Sequence, residues 1–143
     1  MLLHQSVLAV KQQLEVQRKA IESRLPAHMI DILNLACYEL GGNADFVPNL
    51  IKFYIHSLCQ QTISTHNLTK YLQSDLATGK AQKRLSLKGR RIADEITQLK
   101  RLTKLSSTTD LIKIVVLKIN DDLLVHPDNK TISTLKGIVA AVT

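Results

Sequence analysis

Apolar residues recur along this chain at the alternating three-and-four spacing of a helix, and that period sets the first expectation. Leu3, Val7, Val10, Leu14, Ile21 and Leu25 form one stripe, with Gln17 as its gap. Lys11, Gln12, Glu15, Arg18, Lys19 and Glu22 occupy the opposite, polar side. Pro26 ends this segment and can open the next, because proline is tolerated in a first turn. Ile30, Leu33, Cys37 and Leu40 carry a second helix to Gly41 and Gly42, where glycine is expected to stop it. A third helix is capped from 43–45 and runs through Leu50, Ile51, Tyr54 and Leu58. A shorter fourth starts at 65–67, uses Leu68, Tyr71, Leu72 and Leu76, and ends near Gly79. Residues 80–89 read as a loop or a frayed helix. Ile92, Ile96 and Leu99 then mark a fifth helix.

The run 111–119 is the hardest to place, since its β-branched residues favour a strand. Ser107 with Asp110 has the spacing of a capping box, with Asp in place of the usual Glu. A cap ahead of the run, and no evident partner strand elsewhere, make it a helix. Residues 126–129 form a turn, and 131–142 a last helix with Ile132, Leu135 and Val139 inward. The expected fold is all-α, a compact bundle of about six or seven helices. A single domain over 1–143 suits a length within the usual range of roughly 100–150 residues. Aromatic residues make up only 3% of the chain, so Leu, Ile and Val must fill the core.

Charge changes this picture more than composition does. Lys80, Lys83, Arg84, Lys88, Arg90, Arg91, Lys100, Arg101 and Lys104 all stand within 80–104, opposed there only by Asp94 and Glu95. Nine minus two gives +7, which equals the net charge of the whole chain. Such clustering is the footprint expected of a surface that tracks nucleic-acid phosphates. If 83–91 is helical, Arg84, Lys88 and Arg91 share one face, away from the Ile92, Ile96 and Leu99 stripe. Tyr38, Phe46, Phe53, Tyr54 and Tyr71 all precede the basic segment. Stacking of splayed bases is therefore disfavoured and backbone contact favoured. The alternative is a helical scaffold or adaptor whose basic face meets an acidic protein.

Spacing argues against other chemistry. Gly79-Lys80 lacks the phosphate-loop pattern, because Ser74 and Ala81 stand where Gly and Ser or Thr are needed. His56 and Cys59, with Cys37 and His66, match no zinc spacing and read as core cysteines and a satisfied histidine. Asp94-Glu95 and Asp121-Asp122 are adjacent pairs whose side chains diverge on a helix. No catalytic residue, metal or cofactor is expected, and the protein is not read as an enzyme. The start has no signal-peptide pattern, and no run approaches the roughly 20 apolar residues of a membrane span. A cytoplasmic setting and no membrane partner are expected.

A short, basic, helical chain with its charge in the second half, around Lys83-Arg84 and Arg90-Arg91, resembles the small subunits of CRISPR effector complexes. The likeness covers most of the length as a pattern of size, helix number and charge position, without a diagnostic motif. It implies a non-catalytic subunit of a ribonucleoprotein complex, stacked in several copies beside other subunits. Its basic faces would hold guide-paired target or displaced strand, RNA or DNA, through the phosphates. Some such subunits are also encoded within a large subunit. The start at Met1 directly into an apolar stripe, with no capping residue ahead, fits an internally initiated C-terminal part.

Overall fold

The computed structural model describes residues 20–61 and 64–142. In chain order these form β1 (Ala20–Leu25), α1 (Ala27–Glu39), α2 (Val47–Gln60), α3 (Thr65–Thr69), β2 (Lys83–Lys88), α4 (Arg90–Thr103), α5 (Thr108–Asn120) and α6 (Asn129–Val142). The all-α expectation is corrected: six helices are joined by a two-stranded antiparallel sheet, β1 against β2. Leu3, Val7, Val10 and Leu14 of the expected first helix lie outside the described residues, and its end at 20–25 is a strand. Among the described residues no helix is long and apolar enough to cross a membrane.

The sheet follows from alternation and from one proline. The register pairs Ile21 with Leu87, Ser23 with Leu85 and Leu25 with Lys83 on one face. Leu25, Leu85 and Leu87 on that face are buried, with exposures of 0%, 7% and 1%. A residue before proline is biased away from the helical region, so Pro26 holds Leu25 extended. Residues 83–88 are thus neither loop nor helix. Gly89, at φ +131°, turns β2 into α4 through a conformation that a side chain rarely permits.

The 111–119 run is helical, as its cap implied. The Ser107 side chain accepts a hydrogen bond from the Asp110 amide at 3.2 Å and starts α5. Leu111, Ile112, Ile114, Val115, Val116, Leu117 and Ile119 are all buried, so α5 is apolar around most of its circumference, with Lys113 and Lys118 the exceptions. A helix of that kind is stable only when wrapped. It is packed by α1, α2, α4 and β1. Each β-branched residue costs a few tenths of a kcal/mol in helix propensity, against about 1.5–3 kcal/mol for burying its side chain, so burial decides.

The remaining helices end and begin largely where their signals stand. Gly41, at φ +86°, closes α1: its amide bonds the Tyr38 carbonyl, and the Gly42 amide bonds that of Cys37, each at 3.0 Å. Asn43 caps a 3-10 turn, Ala44–Phe46, that runs into α2. The fourth helix is shorter than expected: α3 gives way to 3-10 turns at Lys70–Gln73 and Asp75–Ala77, leaving Leu76 exposed. Asp128 caps α6 through the Thr131 hydroxyl at 2.9 Å and the Lys130 amide at 3.2 Å. The bond from Thr131, and then the amides, hold its carboxyl below the usual carboxylate range.

If α5 organises the core, Ile114→Ala should lower the urea unfolding free energy by about 2–5 kcal/mol. Ser107→Ala should lower it by about 1 kcal/mol. Lys104, a left-handed residue at φ 59° that ends α4, should gain about 1 kcal/mol on replacement by Gly. A loss below about 1 kcal/mol for Ile114→Ala would show that α5 is not the organising element.

Candidate nucleic-acid interface

The outward face of the sheet collects charge that the sequence scattered. Ala20, Glu22 and Arg24 of β1 lie opposite Lys88, Ser86 and Arg84 of β2, respectively. Arg24, Arg84 and Lys88 are exposed. Arg24 is not among the expected binding residues, because it sits in a segment that reads as helix. The alternation from Ile21 to Leu25 ahead of Pro26 was the signal for it. Two guanidiniums directly across an antiparallel pair repel, a destabilising arrangement. Glu22 relieves one of them, with a carboxylate oxygen 3.3 Å from Arg84 Nη2.

The expected single face of Arg84, Lys88 and Arg91 does not exist. Arg84 and Lys88 share the outer sheet face, whereas Arg91 lies on α4. Helix α4 buries Ile92, Ile96, Leu99 and Thr103, and the helical period therefore points Arg90, Asp94, Thr97 and Arg101 outward. Arg90 and Arg101, eleven residues apart, are separated by about 16 Å along the helix. Lys100 and Arg101 fall in the last turn, where cations complement the helix dipole. Arg90 and Arg91 stand in the first turn, where they oppose it, and Gly89 offers no side-chain cap.

Arg91 is held locally. Its Nη2 lies 2.9 Å from His56 Nδ1 and 3.2 Å from Nε2. A nitrogen so near both ring nitrogens must sit over the ring face, since an in-plane approach would overlap Cε1. Glu95 joins the group: His56 Nδ1 is 2.6 Å from one carboxylate oxygen, and Arg91 Nε is 3.8 Å from the other. By contrast, among the described residues no carboxylate lies within 4 Å of Arg24, Lys80, Lys83, Lys88, Arg90, Lys100, Arg101 or Lys104.

Several groups that could do covalent or acid–base chemistry are engaged elsewhere. Burial pushes the Cys37 thiol up to about 11, and burial followed by Glu95 raises Cys59. The Cys59 thiol donates to the Glu95 carbonyl at 3.5 Å. Asp121 and Asp122 face different partners, Tyr71 at 3.5 Å and Lys118 at 3.2 Å, so they share no proton. Burial, and then Asp121, pushes Tyr71 up to about 12, and burial above all raises Tyr54. Among the described residues no three His, Cys, Asp or Glu side chains are grouped to hold a metal ion. None of the aromatics lies on the basic surface: Phe46 and Tyr54 are buried, and Tyr38, 63% exposed beside Leu35 at 52%, stands on α1.

No protein-family model, no curated protein and no solved structure matches this chain.

The thiolate is the reactive form of cysteine, so a rise from 9.0 to about 11 leaves Cys37 with roughly a hundredfold less of it. At mildly alkaline pH, iodoacetamide should label both cysteines slowly in the folded protein and rapidly in urea. Fast labelling of Cys59 in the folded state would contradict this.

Proposed function

We propose that this protein is a non-catalytic nucleic-acid-binding subunit that grips its ligand through phosphates, using the outer sheet face and the outward side of α4. One observation carries the reading: exposed cations concentrated over two adjoining elements, most of them without a carboxylate partner. Ordinary surface charge is interspersed in sign, and Arg24 facing Arg84 lowers fold stability. An anionic polymer lying over the face would offset that repulsion and release counterions from its own phosphates. The binding set is Arg24, Lys80, Arg84, Lys88, Arg90, Arg101 and Lys104; Lys83 is exposed but stands at the end of the leucine-bearing sheet face, opposite Leu25. Arg91 and Lys100 are secondary, the first engaged with His56 and Glu95 and the second half-buried at a helix end.

The likeness to small subunits of CRISPR effector complexes supplies the setting we favour: a ribonucleoprotein assembly in which several copies present their basic faces to one nucleic acid. Exposed Leu35 and Tyr38 on α1 offer an apolar patch for a neighbouring subunit.

Replacing Lys88, Arg90, Arg101 and Lys104 together with Gln tests the binding. These side chains are exposed and unpaired, so stability should move by only about 0.5 kcal/mol per site or less. The slope of log affinity against log salt should shallow by about 0.7–0.9 for each phosphate no longer neutralised, on DNA and RNA alike. Unchanged binding by the variant would make these residues a solvated face. Retention of an acidic protein partner in the presence of excess nucleic acid would favour the adaptor reading instead.

A further inference from the structure

We propose that the β1–β2 ribbon enters the major groove of double-stranded DNA, with Arg24 and Arg84 reading guanine edges. This rests on the nucleic-acid reading above and adds the kind of duplex and the element that reads it.

The argument begins with shape. The inner face of the ribbon is closed off by Leu25, Leu85 and Leu87, so only the face bearing Glu22, Arg24, Arg84, Ser86 and Lys88 meets a ligand. Strands lie about 5 Å apart. A major groove about 12 Å wide admits a two-stranded ribbon backed by its protein. Lys80 lies just ahead of β2, with Lys88 and Arg90 at its other end. The five residue steps along β2, at about 3.4 Å each, set its two ends roughly 17 Å apart, enough to reach phosphates on both rims of the groove.

The chemistry of the centre is more selective than phosphate tracking needs. Arg24 and Arg84 face one another and offer only donors. Guanine presents two acceptors, O6 and N7, at the spacing a guanidinium fork matches. A side chain that only neutralised phosphate would do best unpaired and mobile. Glu22 instead lies 3.3 Å from Arg84, which gives up part of the free charge and biases the direction of the fork across the ribbon. Its remaining lone pairs, and the Ser86 hydroxyl, suit neighbouring base edges. Duplex RNA is a poor ligand by the same reasoning, because its major groove is deep and too narrow for side chains to read.

The test uses the full chain and DNA duplexes selected from a random-sequence library. Methylation of guanine N7, an atom exposed in the major groove, should block binding at particular guanines. Duplex RNA of the selected sequence should bind about tenfold more weakly or worse, as expected when a guanidinium fork cannot reach its base. Arg24→Lys with Arg84→Lys keeps the charge but removes the bidentate fork, so it should abolish the methylation pattern while retaining salt-sensitive binding. Lys100→Gln with Arg101→Gln should weaken binding and leave the pattern intact. Binding that is indifferent to N7 methylation, or a native pattern in the double Lys variant, overturns the ribbon proposal and leaves phosphate binding standing. Failure to bind any nucleic acid overturns both.

Discussion

Helix α5 buries apolar side chains over most of its circumference, and the chain around it is arranged to keep water from them. Its buried set, from Leu111 to Ile119, cannot be satisfied by one neighbouring helix. Helices α1, α2 and α4 cover part of the circumference, and β1 covers another part. An isolated two-stranded sheet is marginal in water, so the ribbon depends on this packing more than on its own hydrogen bonds. Once Leu25, Leu85 and Leu87 turn inward, strand alternation leaves Arg24, Arg84 and Lys88 no place but solvent. The charge pattern of the surface is thus a consequence of how the core is closed.

The same logic separates charges that support the fold from those that do not. Arg91 is occupied by His56 and Glu95, and Lys118 by Asp122. Lys100 and Arg101 suit the end of α4. Arg90 at the start of that helix and Arg24 opposite Arg84 oppose local stability. Departures from local rules concentrate where function requires them. Here they lie on the β1–β2 ribbon and on the start of α4, the surface proposed to bind.

Much of the helical scaffold is legible in the sequence, and the sheet is not. Gly41, Asn43 and Ser107 mark boundaries by backbone chemistry that operates within a few residues, so their signals survive without tertiary context. Residues 20–25 mislead because Ile21 and Leu25, four apart, share a face in either a helix or a strand. Pro26 is the discriminating signal, through its effect on the residue before it. The β2 segment has only two inward leucines among its cations, too few to establish a period. Reading 111–119 as helix is right for the cap and wrong in one premise: strands do exist elsewhere, but they pair with each other. The candidate site inherits this division. The basic segment is legible as a count of charges, whereas its face, and the contribution of Arg24, require the register.

The central claim is that one basic surface, formed by the outer ribbon and the outward side of α4, receives nucleic acid. The most direct measurement is an amide shift map of the isotope-labelled protein titrated with a short DNA duplex. The account predicts that the largest shifts fall at Glu22, Arg24, Arg84, Ser86, Lys88, Arg90 and Arg101, while Leu35 and Tyr38 on α1 stay still. Shifts centred on α1 or α6, or no shifts at all, would contradict it.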